Sequence, residues 1–68
     1  MTKSYRYERT DSALWEYRVF AGDRFLGTAW RVFPGEWKGR TADGRTVDQR
    51  NSRTATANLL SYTLTKES

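Results

Sequence analysis

Between residues 14 and 41, apolar and polar side chains alternate with a period of two, broken only where Gly, Pro and Asp cluster. In LWEYRVF, Trp15, Tyr17 and Val19 share one parity, and Glu16 and Arg18 the other. In FLGTAWRVF, Leu26, Thr28, Trp30 and Val32 alternate with Gly27, Ala29 and Arg31. In WKGRTA, Trp37, Gly39 and Thr41 oppose Lys38 and Arg40. Successive side chains of a strand point to opposite sides, so the pattern predicts three strands, each with one buried face. The turn signals AGDR, FPGEW and ADGR punctuate them. Connections this short make an antiparallel meander the simplest path. SYRYERT also alternates, Tyr5 and Tyr7 against Arg6 and Glu8. It forms a fourth, edge strand if it pairs, and a frayed end if it does not.

After Asp43-Gly44 the period changes. Residues 53–64 contain no Gly or Pro, and Ala57, Leu60 and Leu64 fall at helical spacing with Thr56 and Leu59 beside them. Asn51 or Ser52 can cap such a helix by accepting hydrogen bonds from its free N–H groups. Arg53 opens the helix where an acid would suit the macrodipole better. Four Ser and Thr positions lower its propensity further. The helix is therefore expected to form by packing Ala57, Leu60 and Leu64 on the Trp and Val face of the sheet. The final TKES is expected to fray. The expected fold class is α+β: an antiparallel meander of three strands, or four with the N-terminal segment, packed on one C-terminal helix. Residues 1–68 form a single domain with an ordered core over about 14–64.

A chain of 68 residues has little core to spare, and its ten aromatic residues are expected to supply most of it. Cys and His are both absent. That excludes disulfides, thiolate chemistry and the Ser-His-Asp and Cys-His catalytic arrangements. The eight acidic residues are scattered. The expectation is a non-enzymatic protein with no metal and no cofactor. No apolar run approaches the roughly 20 residues that span a bilayer. MTKSYRYERT has no apolar signal region, so a cytoplasmic protein without a membrane partner is expected. The net charge of +4 favours a polyanionic partner at long range.

Two groups of cations are candidates for binding. If the helix covers the side carrying Trp15, Tyr17, Leu26, Trp30 and Val32, the other side presents Glu16, Arg18, Arg31, Lys38 and Arg40 from three adjacent strands. Arg and Lys on an open sheet suit the phosphates and base edges of a DNA groove. The second group, Arg50 and Arg53 with Asn51 and Ser52, surrounds the helix start, where free N–H groups suit a phosphate. Phe20, Phe25 and Phe33 fall on the polar parity at strand ends and form a possible rim for stacking or protein contact. GDRFLG lacks the Lys-Ser/Thr and the following helix of a phosphate loop, and reads as a hairpin.

Residues 14–64 resemble the β-β-β-α pattern of tyrosine-recombinase arm-binding domains and plant ethylene-response-type DNA-binding domains. WEYRV and GEWKG look like their strands, the Asp-Gly turn follows, and Thr54, Ala57 and Leu60 match the helix. Short actinobacterial and phage proteins look similar. The resemblance implies a three-stranded sheet docked in the major groove, with Arg18, Arg31, Lys38 and Arg40 touching DNA. The expected function is a small double-stranded DNA-binding or regulatory accessory protein using this basic face and the helix start, including Arg50 and Arg53. The alternative is a protein-interaction module or inhibitor acting through an edge strand or the Phe rim.

Overall fold

Two segments beyond the three marked by alternation also pair into the sheet. The computed structural model describes residues 5–11 and 15–66. The elements are β1 Arg6–Arg9, β2 Glu16–Ala21, β3 Arg24–Phe33, β4 Glu36–Thr41, β5 Thr46–Arg50 and α1 Arg53–Lys66. The strands lie side by side in sequence order, each antiparallel to the next. The α+β class and the meander agree with expectation, but the sheet has five strands rather than three or four. β1 is the N-terminal edge strand marked by the Tyr5/Tyr7 alternation. β5, TVDQR, escaped prediction because Val47 is its one apolar residue, and one residue shows no period. The helix starts where capping placed it and runs two residues past the expected end at 64. Of the expected frayed tail, residues 67–68 lie outside the described residues, as does Leu14 at the expected start of the core.

The core lies between α1 and β3–β5. Val19, Leu26, Ala29 and Val47 from the sheet meet Ala57 and Leu60 from the helix. None of the ten aromatic residues is fully buried, contrary to expectation. A helix about 10 Å across cannot cover a five-stranded sheet about 19 Å wide, so the rings lie half-buried or exposed around a small aliphatic centre. Small residues let the helix come close. A Cβ on Gly39 would stand 2.8 Å from the Thr56 Cγ2. Thr56 is fully buried, and its hydroxyl donates to the Ser52 carbonyl at 2.9 Å. Ser52 caps the helix, its Oγ accepting from the Ala55 N–H at 3.1 Å.

A bulge decides which residues of β3 face the helix. Val19 lies opposite Gly27 and Phe20 opposite Phe25, so Leu26 is an extra residue in β3. Leu26 turns into the core and is 1% exposed. From Gly27 onward the alternation resumes. Ala29 and Arg31 face the helix side; Thr28 and Trp30 face the other. The expectation that Leu26, Thr28, Trp30 and Val32 share the covered face is thus corrected, and Val32 is exposed. The bulge needs glycine: Gly27 has φ +147°, and a Cβ there would sit 2.1 Å from the Arg40 carbonyl oxygen.

The β4–β5 turn is held by polar contacts. The Thr41 hydroxyl donates to the Asp43 carboxylate and accepts from the Arg45 N–H at 3.0 Å. Arg45 pairs with Asp43, Nη2 to Oδ2 at 2.9 Å. The Arg45 hydrogen bond, then that of Thr41, lowers the Asp43 pKa from 3.8 to about 2.

Two predictions follow from these contacts. Gly39→Ala should destabilise the protein by about 1–3 kcal/mol in urea unfolding, since Thr56 must shift. Gly27→Ala should cost more, because the obstacle is backbone; equal costs would contradict the bulge geometry. In an NMR titration the Asp43 carboxyl should show a midpoint near 2, rising toward 3.8 in Arg45→Ala. The lowered native pKa means that the Asp43 contribution to stability is complete above about pH 4 and is lost as pH falls toward about 2. A wild-type midpoint at the ordinary value would contradict the contact.

Candidate nucleic-acid interface

Cross-strand pairing sorts the candidate cations into two groups on opposite sides of the sheet. Residues directly opposite one another on neighbouring strands share a face. On the open side, one row runs Glu8, Arg18, Thr28, Arg40, Thr46 across all five strands. The next row runs Glu16, Trp30, Lys38. Arg18, Lys38 and Arg40 are exposed and surround Thr28 and the half-buried Trp30. None of the three cations has a carboxylate partner among the described residues. The acids of these rows are engaged elsewhere: Glu8 pairs with Arg6 at 2.8 Å, and Glu16 accepts from the Thr10 hydroxyl.

Arg31 does not belong to this face. It lies opposite Trp37, which lies opposite Arg50, in a row on the helix side. Its guanidinium stacks over Trp15 at 4.0 Å from the ring centroid. The expected grouping of Arg31 with Arg18, Lys38 and Arg40 is corrected for the reason given by the bulge. The parity read forward from Leu26 is inverted from Gly27 on. Trp30, assigned to the core by that parity, joins the open face instead. The register of β4 is as expected, with Lys38 and Arg40 on the open side.

The helix start differs from a bare anion cradle. Ser52 already accepts the N–H of Ala55. The Arg53 guanidinium carbon lies 4.0 Å from the Tyr7 ring centroid and 4.9 Å from that of Tyr17. Tyr17 in turn contacts Tyr7 edge-on at 6.4 Å and Trp37 at 6.1 Å. Arg50 donates from Nη1 to the Gln49 carbonyl at 2.8 Å. The three phenylalanines do not form one rim. Phe20 and Phe25 pair at 5.4 Å at one end of the sheet, with Arg6 4.4 Å over Phe20. Phe33 stands at the other end, 64% exposed.

Comparison with protein-family models, with curated proteins and with solved structures finds no match to this chain. No helix among the described residues is long and apolar enough to cross a membrane.

The aromatic border contains one unmet polar group. The Tyr7 hydroxyl is buried and has no hydrogen-bond partner among the described residues. An unpaired buried hydroxyl carries its desolvation cost without return, so Tyr7→Phe should be neutral or stabilise by up to about 1 kcal/mol in chemical denaturation. A loss above about 1 kcal/mol would show that the hydroxyl is bonded.

Proposed function

We propose that this protein is a small, non-enzymatic duplex-DNA-binding module, acting as an accessory or regulatory factor, and that the open sheet face is its DNA surface. The observation that carries this reading is the set of three cations, Arg18, Lys38 and Arg40, without a carboxylate partner among the described residues, around Thr28 and Trp30 on the side of β2–β4 away from the helix. Three strands at about 4.8 Å spacing span about 10 Å, close to the ~12 Å width of the major groove. The outer strands are free to follow the sheet's twist away from the groove floor. Arginine offers a fork to phosphate or to guanine O6 and N7, and lysine a single mobile charge. Thr28 and Trp30 supply apolar surface between them for base edges. The resemblance to recombinase arm-binding and ethylene-response-type domains supports the same docking mode. In this reading Arg31, Arg50 and Arg53 take no part in the groove contact, since they lie on the other side.

The test is fluorescence anisotropy with a labelled duplex of about 20 base pairs at several salt concentrations. Binding should weaken steeply with salt, because each phosphate contact releases counterions. Arg18→Ser, Lys38→Ser and Arg40→Ser together should reduce the slope of log K against log salt by up to about 2.7, or ~0.9 per lost contact. Circular dichroism checks that the variant is folded. An unchanged slope, or no duplex binding by the wild type at low salt, would reject this function.

A further inference from the structure

The helix side of the sheet carries a second group of cations without salt bridges among the described residues. At the end where β1, β3 and β5 finish and α1 begins, four arginines line the helix side, from Arg9 on one edge strand to Arg50 on the other, about 19 Å across the sheet. One row reads Arg9, Tyr17, Ala29, Gly39, Val47. The next reads Arg31, Trp37, Arg50. Arg53 enters from the helix and lies on Tyr7 and Tyr17. Neither row contains a carboxylate; Glu8, next to Arg9 in sequence, belongs to the open-side row and pairs with Arg6. None of the four arginines forms a salt bridge among the described residues. Arg6 and Arg45, by contrast, pair with Glu8 and Asp43.

Like charges gathered without counter-charge repel one another, and the fold keeps two of them ordered by stacking. The guanidinium carbon of Arg31 lies over the Trp15 ring, and that of Arg53 over the rings of Tyr7 and Tyr17. Stacking uses the face of a guanidinium and leaves the in-plane N–H groups open. Neither guanidinium has a hydrogen-bond acceptor among the described residues. The donors are thus held in place with no acceptor, and paired N–H forks match the oxygens of a phosphodiester. The Cα atoms of Arg31 and Arg50, two strands apart in one row, are about 10 Å apart.

We infer that Arg9, Arg31, Arg50 and Arg53 form a second phosphate-backbone site, on the side of the sheet opposite the first, so that one molecule holds two DNA duplexes at once. The inference rests on the duplex-binding reading for its class of ligand, but not on the sheet face being the stronger site. The sheet itself separates the two surfaces, so one straight duplex cannot lie on both. The contact on the helix side is to backbone, because the groups it offers are guanidinium forks, which match phosphate oxygens. Binding there is expected to be insensitive to sequence.

Two sets of variants separate the sites. The sheet-face variant carries Arg18→Ser, Lys38→Ser and Arg40→Ser. The helix-side variant carries Arg9→Ser and Arg50→Ser, which leave the stacked Arg31 and Arg53 in place. Anisotropy with a labelled duplex at low salt should show that the sheet-face variant still binds. Adding the helix-side changes to it should weaken binding at least about tenfold, and Arg9→Lys with Arg50→Lys should restore most of it. Energy transfer between donor- and acceptor-labelled duplexes should appear with the wild type and vanish with either variant. The inference is overturned if the sheet-face variant binds duplex no better than the combined variant. It is equally overturned if the helix-side variant still brings two duplexes together, or if polyglutamate at equal charge competes as well as DNA. A sheet-face variant that binds like the wild type would reject the sheet face as the DNA surface and with it the holding of two duplexes, while loss of that binding on adding the helix-side changes would keep the helix-side site.

Discussion

The bulge at Leu26 and Gly27 governs both faces of this sheet, because one extra residue in a strand of period two exchanges the sides of everything beyond it. Leu26 is pulled beneath the helix, where it is one of the largest fully buried side chains. Gly27 accepts the close carbonyl of Arg40. Beyond it, Ala29 presents a surface flat enough for the helix to approach, and Trp30 is turned outward. A regular strand would have kept Leu26 and Trp30 on the same side, leaving room for one of them at most under so narrow a helix.

The narrow helix has an electrostatic consequence. α1 packs on β3–β5 and leaves the β1–β2 side of the same face to be covered by Tyr7, Tyr17 and the guanidinium of Arg53. A cation is used there as a lid on aromatic rings, with its charge still accessible. On the other face no described element packs, and Arg18, Lys38 and Arg40 have no carboxylate partner among the described residues around Thr28 and Trp30. Both surfaces combine arginine with aromatic rings, but in different ways. On the helix side the rings hold the arginines. On the open side the arginines flank a free indole.

These differences explain why the candidate sites were only partly legible. Arg18, Lys38 and Arg40 could be grouped from alternation alone, since each strand's parity was read within a regular stretch. Arg31 was misplaced because its parity was counted from Leu26, across the bulge, and nothing in FLGTAWRVF distinguishes a bulge glycine from an ordinary strand glycine. The arginine cluster with Arg9 had no sequence signal, since Arg9, Arg31, Arg50 and Arg53 come from four separate elements. The pairing of Tyr17 with Arg9, and of Trp37 with Arg31 and Arg50, arises only through register.

The sequence by itself determined the α+β class, the antiparallel order, the helix start at Ser52 and Arg53, the lack of Cys and His chemistry and the positive charge. All of these depend on local period, turn chemistry, capping or simple composition. The tertiary structure alone decided the fifth strand, the small aliphatic core and the division of the arginines between two faces. Those depend on which backbone lies opposite which, and a single inserted residue in β3 changes that without altering any local preference that the sequence displays.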